Sequence, residues 1–121
     1  MPFKKLLGRL IDSIDGARGA IVADWEGEAV DQVSRMDDFE IKIIGAHQGV
    51  ILSHFRQVVK ALEGNDLEEI VVVTNLAHTM ILPITADYFL VFVMERNDTV
   101  LGRALFEARR CVKALRSEVL C

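Results

Sequence analysis

Cysteine, clustered positive charge and long apolar runs are all scarce in this chain, and each shortage removes a class of explanation. The two cysteines, Cys111 and Cys121, lie ten residues apart and neither belongs to a CxxC pair, so no disulfide framework is expected. Cys111 reads as a core residue and Cys121 as an exposed one at the end of the sequence. Fourteen Lys and Arg against eighteen Asp and Glu give a net charge of −4, and the only basic doublets are Lys4-Lys5 and Arg109-Arg110. Scattered cations do not make a nucleic-acid site, because phosphate affinity comes from clustered Lys and Arg. No apolar run approaches the roughly 20 residues that span a bilayer. The opening MPFKKLLGRLIDSID puts charges where a signal peptide would be apolar, so the expectation is a cytoplasmic protein without a membrane span. Repeats, low-complexity stretches and linkers are also missing. With 51% hydrophobic and 26% charged residues, residues 1–121 read as one globular domain with a real core.

Catalytic and cofactor signatures are equally thin. The chain has no GxxxxGK followed by Ser or Thr to cradle phosphates, and Gly16-Ala17-Arg18-Gly19 is too short a glycine spacing for that or for a dinucleotide fingerprint. His47 and His54, seven apart on one helix, are separated by about 10 Å along its axis, too far to ligate one metal ion directly. His78 falls on another element. Ser34, Ser53 and Cys111 lack a strained elbow such as GxSxG. The paired carboxylates Asp37-Asp38 and Glu68-Glu69 are explained by helix capping and strand-flanking solvation. No catalytic residue, metal or cofactor is expected.

What is present is a clear alternation of patterns. Phe3, Leu6, Leu7, Leu10, Ile11 and Ile14 lay one stripe along a helix, which Gly16 can end by adopting the left-handed conformation. RGAIVADWEGEAVDQV gives two strands, about 19–24 and 27–33, around Asp24-Trp25-Glu26-Gly27, where Gly supplies the positive φ of a hairpin turn. A middle helix starts near Asp37-Asp38-Phe39-Glu40, a capping-box arrangement, and runs to about Leu62, before Gly64-Asn65-Asp66. Then come strands over about 68–74, 78–84 and 88–95, with Pro83 where a ladder should end because it has no amide hydrogen. A closing helix follows Asn97-Asp98-Thr99, with Leu101, Leu105, Ala108, Val112, Leu115 and Val119 inward and Arg103, Glu107, Arg110 and Arg116 toward water.

Two features suggest contact with other molecules. In the middle helix, Ile44, Ile51, Phe55, Val58 and Leu62 form one apolar line and Ile43, Val50 and Ala61 a neighbouring one, with His54 between their turns. An arc that wide can cover a sheet and still offer apolar surface. Gly45, Gly49 and Ser53 repeat every four residues beside Arg56, a ridge of minimal side chains. Each interior Gly costs roughly 1 kcal/mol relative to Ala. The ridge either admits a partner surface or lets the helix press on the sheet or on a second copy. Ile70-Val71-Val72-Val73 has no alternation, as in a strand covered on both faces. Were this strand at a sheet edge, pairing with the same strand of a second copy would close that edge about a two-fold axis.

Taken together, the first hairpin RGAIVADWEGEAVDQV, the meander IVVVTNLAHTMILPITADYFLVFVMER and the closing LGRALFEARRCVKAL resemble the roadblock family, which includes dynein light chains and the bacterial MglB-type regulators. The first helix, beginning almost at the N-terminus, is more similar to bacterial and archaeal members. The resemblance implies an α+β fold of profilin-like, three-layer α/β/α form: a five-stranded antiparallel sheet, the middle helix on one face and the first and closing helices on the other. It implies a homodimer joined through the middle helix and third strand, and a Ras-like small GTPase as partner, regulated or scaffolded without an active site in this chain. Carried onto these residues, the dimer interface falls on Ile43, Val50, His54, Ile70, Val71, Val72, Val73 and Thr74, and GTPase docking on Gly45, Gly49, Ser53 and Arg56. The competing reading is a small-ligand sensor of the PAS or GAF type, which needs a pocket of several hundred Å³ within the fold.

Overall fold

The computed structural model describes residues 3–24, 26, 28–37, 40, 44, 50, 51, 53, 54, 57 and 67–120. The first helix spans Phe3–Ser13, and five strands follow: β1 (Ala17–Asp24), β2 (Ala29–Ser34), β3 (Ile70–Val73), β4 (Ala77–Pro83) and β5 (Tyr88–Glu95). The closing helix spans Leu101–Leu120. Between β2 and β3, the described residues Glu40, Ile44, Val50, Ile51, Ser53, His54 and Gln57 are all helical, where the sequence places its middle helix. The bounds of that helix lie outside the described residues.

The sheet is antiparallel throughout, in the order β2-β1-β5-β4-β3. Alternate residues of a strand point to opposite faces, which divides the core in two. On one face Ala20, Val22, Met80, Leu82, Leu90 and Phe92 meet Leu7, Leu10 and Ile11 of the first helix and Ala108, Val112 and Leu115 of the closing helix. On the other face Ile21, Ala23, Ile81, Phe89, Val91 and Val93 pack with Met36, Ile44, Leu67 and Ile70. Ile44 thus sets the middle helical segment against the face opposite the other two helices. The fold is the three-layer α+β arrangement expected.

Side chains close the turns. Gly16 takes a φ of 84° between the first helix and β1, as a left-handed glycine should, although the helix itself stops at Ser13. In the first hairpin the Asp24 carboxylate accepts from the amides of Glu26 and Glu28, at 3.0 Å each, an Asx-type turn. Gly27, on which the sequence rested that turn, lies outside the described residues. Ahead of the closing helix, Asn97 Oδ1 accepts from Thr99 N at 3.1 Å. Arg103, Arg110 and Arg116 are exposed as expected; Glu107 is only partly so.

The start of β3 corrects the sequence, which placed it near residue 68. Thr74 N donates to Ala77 O at 2.9 Å, and hydrogen-bonded pairs recur every second residue along an antiparallel ladder. The register Ile70↔Ile81 and Val72↔Thr79 therefore makes Glu68 and Pro83 the next such pair. Pro83 has no hydrogen to donate, so β3 begins at Ile70.

Candidate functional site

β3 is an edge strand. In the same alternation, Val72 and Ile70 bond to β4, so the N–H and C=O of Val71 and Val73 point away from the sheet. The residues that β3 offers are not buried: Ile70, Val71 and Val72 are partly exposed, Val73 is 50% exposed, and Thr74 is exposed. The expectation of a strand covered on both faces thus fails for the single chain. Its unbroken apolar run touches both cores, Val71 one and Ile70 the other, yet the outer rim stays open.

A second apolar area lies on the middle helical segment. Val50 is 59% exposed, Ile51 is exposed, and so is His54, while Ser53 is partly buried. The wheel assigned Ile44 and Ile51 to one apolar line; Ile44 does pack on the sheet, but Ile51 faces outward. Ile43, Gly45, Gly49 and Arg56 lie outside the described residues.

The turn after β3 is fastened from the end of β5, the strand beyond β4. Arg96 N donates to Leu76 O at 3.0 Å and Arg96 Nη1 to Thr74 O at 3.3 Å. Arg96 also meets the Asp98 carboxylate through Nε and Nη2, at 3.3 and 3.4 Å. The Asp98 carboxyl is held below its ordinary range, chiefly by the hydrogen bond and charge of Arg96, with His78 adding to the effect. Thr74 Oγ1 accepts from the amides of Leu76 and Ala77 at 3.2 and 3.0 Å, so this turn closes on a side chain.

His78 is the residue whose placement the sequence did not reveal. It is fully buried on β4, its Nε2 3.4 Å from Asp98 Oδ1, and neither ring nitrogen has a hydrogen-bond partner among the described residues. A histidine beside a carboxylate with a shifted pKa would suggest chemistry if a substrate could reach it, but His78 borders neither described cleft. Its polar contact among the described residues is with the exposed Asp98, which water can solvate instead, so an apolar side chain of similar size gives up little and removes a buried polar group. His78→Leu should therefore raise the urea midpoint, by about 1 kcal/mol in stability, with the slope unchanged. A loss of similar size would show that the Asp98 contact holds the turn.

Cys111 is buried, its Sγ 3.8 Å from Leu6 O, and burial pushes its thiol up to about 12, so it carries no thiolate near neutrality. Among the described residues no group of three or more His, Cys, Asp or Glu could hold a metal ion. Nor is any helix among them long and apolar enough to cross a membrane. Among the described residues, two clefts of about 630 and 410 Å³ open at the surface on either side of the closing helix. Among the described residues both faces of the sheet carry buried apolar side chains, which does not favour a ligand sensor.

An open edge strand, with Val50 and Ile51 turned outward on the middle helical segment, is the geometry of an interaction module. The Roadblock/LC7 domain model matches residues 3–94. The chain belongs to the Roadblock/LC7 family. Among solved structures, this roadblock domain is similar to one from Streptomyces avermitilis at 18% identity, with a TM-score of 0.83 and 97% of each chain covered. It is similar to Myxococcus xanthus MglB at 12% identity and a TM-score of 0.86, over 98% of this chain and 95% of that one. MglC from the same organism gives 21% identity and a TM-score of 0.71, over 98% and 99%. No curated protein sequence matches this roadblock domain. At these identities the structures share its fold.

Proposed function

We propose that this roadblock domain, residues 1–121, is a cytoplasmic homodimer that binds a Ras-like small GTPase and regulates or scaffolds it, without an active site of its own. The observation that carries the reading is the open rim of β3. Val71 and Val73 direct their backbone groups outward, and the Val73 side chain is itself half exposed. Unpaired backbone groups on an apolar edge are an aggregation hazard unless something pairs with them. A second β3 about a two-fold axis closes that edge and continues the sheet. In the proposed dimer the outward Val50 and His54 of the two copies, with Ile43, complete the same interface and form a platform across the pair. Gly45, Gly49, Ser53 and Arg56 are the residues proposed to meet the GTPase there, and likeness to MglB supports this choice of partner.

The experiment is a pull-down from the native cytosol with the whole chain as bait, under GTP-analogue and GDP loading. Nucleotide-dependent recovery of a Ras-like protein is expected, and its absence from both lanes would count against the reading. Gly49→Glu should abolish that recovery while sedimentation still finds the dimer, since a bulky charge on a ridge of small residues blocks close approach. Loss of the dimer instead would assign the ridge to the interface between copies.

A further inference from the structure

The cations that look scattered along the chain are gathered by the fold. The first and closing helices lie side by side on one face of the sheet. Together they carry eight cations and three carboxylates, a net of +5, which leaves six cations and fifteen carboxylates, a net of −9, on the rest of the chain. Few of these cations are neutralised. Arg109 pairs with Glu69, Arg110 with Glu107 and Lys4 with Asp31. Asp12, the one acid of the first helix, is engaged by Arg35. Lys5, Arg9, Arg103 and Lys113 are exposed and make no ion pair with a described residue. Among them stands Phe106, 59% exposed, one helical turn from Arg103, Arg109 and Arg110.

We propose that the outer surface of these two helices docks on anionic lipid headgroups, holding the protein against a negatively charged membrane surface with its acidic remainder turned away. A basic helix face with an exposed aromatic suits the headgroup level, where ring and charge are both accommodated. The cations are not focused on one groove: Arg109 and Arg116 line the cleft on one side of the closing helix, and Arg9 and Arg110 the cleft on the other. Such a spread matches a laterally mobile array of headgroups better than one fixed acidic segment. A second copy is a poor occupant, because basic layer on acidic remainder is a head-to-tail contact, which builds rings or filaments rather than the two-fold pair proposed through β3. The proposal is independent of pairing through β3, which uses other residues.

The test is co-sedimentation of the full chain with phosphatidylcholine vesicles, with and without phosphatidylglycerol. Binding is expected only to the anionic vesicles, weakening steeply as salt shortens the Debye length. Each cation at an anionic surface is worth about a factor of five in partitioning, so Arg103→Glu with Lys113→Glu should lose at least about 25-fold. Phe106→Ser should lose several-fold, and Glu26→Gln with Glu28→Gln, in the first hairpin, nothing. Equal binding to neutral vesicles, none to anionic ones, or indifference to the charge reversals would overturn the proposal. Equally tight retention of duplex DNA or polyglutamate would also overturn it, and so would salt-sensitive self-association through this face.

Discussion

Val73→Pro should separate the dimer into folded monomers. The amide of Val73 points away from β4, as its register opposite His78 requires, so a proline there removes no bond within the chain. Proline is tolerated in edge strands at positions whose N–H faces outward. In the proposed dimer the same amide donates to the partner strand, and two-fold symmetry removes two such bonds at once. At about 1 kcal/mol each, with added crowding from the ring, the loss is about 2–3 kcal/mol, a weakening of roughly 30- to 150-fold. Sedimentation velocity over a concentration series measures it. Val72→Pro is the informative contrast: its amide belongs to the β4 ladder, so the monomer itself should lose about 3 kcal/mol. If Val73→Pro associates as tightly as the parent, β3 is not the joining strand, and any dimer must use another surface, such as the outward Val50 and Ile51.

The sequence reveals this edge only in part, and the reasons differ from place to place. Period and turn chemistry act over a few residues, so the first helix, the hairpins and the closing helix could be read within a few positions of their observed bounds. The start of β3 could not, because it depends on Pro83 standing opposite Glu68, a register that no local pattern states. Asp24 and Thr74 fasten turns through their side chains, where attention falls more readily on glycine and asparagine. Nothing in the local pattern says that His78 is fully buried, because that depends on Asp98, in the loop before the closing helix, lying against it. Charge was the most misleading signal. Arg9 and Arg110 are more than a hundred positions apart, and only the packing of two helices on one face brings them to the same cleft. The docking ridge stands differently: Gly45, Gly49 and Arg56 rest on spacing alone, while Ser53 is known to be helical and partly buried.

Phe92→Ala should be the most damaging single change in the fold, costing about 3–5 kcal/mol. Phe92 is fully buried on β5, the central strand. It stands opposite Ala20 on one side and Met80 on the other, beneath the first and closing helices. The small Ala20 leaves room that the ring fills, so truncation opens a cavity bordered by side chains held from three strands and two helices. That geometry resists collapse, and such sites lie at the costly end of large-to-small substitutions. Domains of this kind are stable by about 5–15 kcal/mol in total, so the variant should keep its fold only narrowly. Urea unfolding must be compared at one protein concentration, since dimerisation raises apparent stability by mass action. A midpoint shifted by less than about 1 kcal/mol would contradict the packing of β5 under the helices. Used together, the two substitutions separate the properties the proposed function needs. Phe92→Ala should lower the stability of each copy, and Val73→Pro should leave that stability alone while removing the partner.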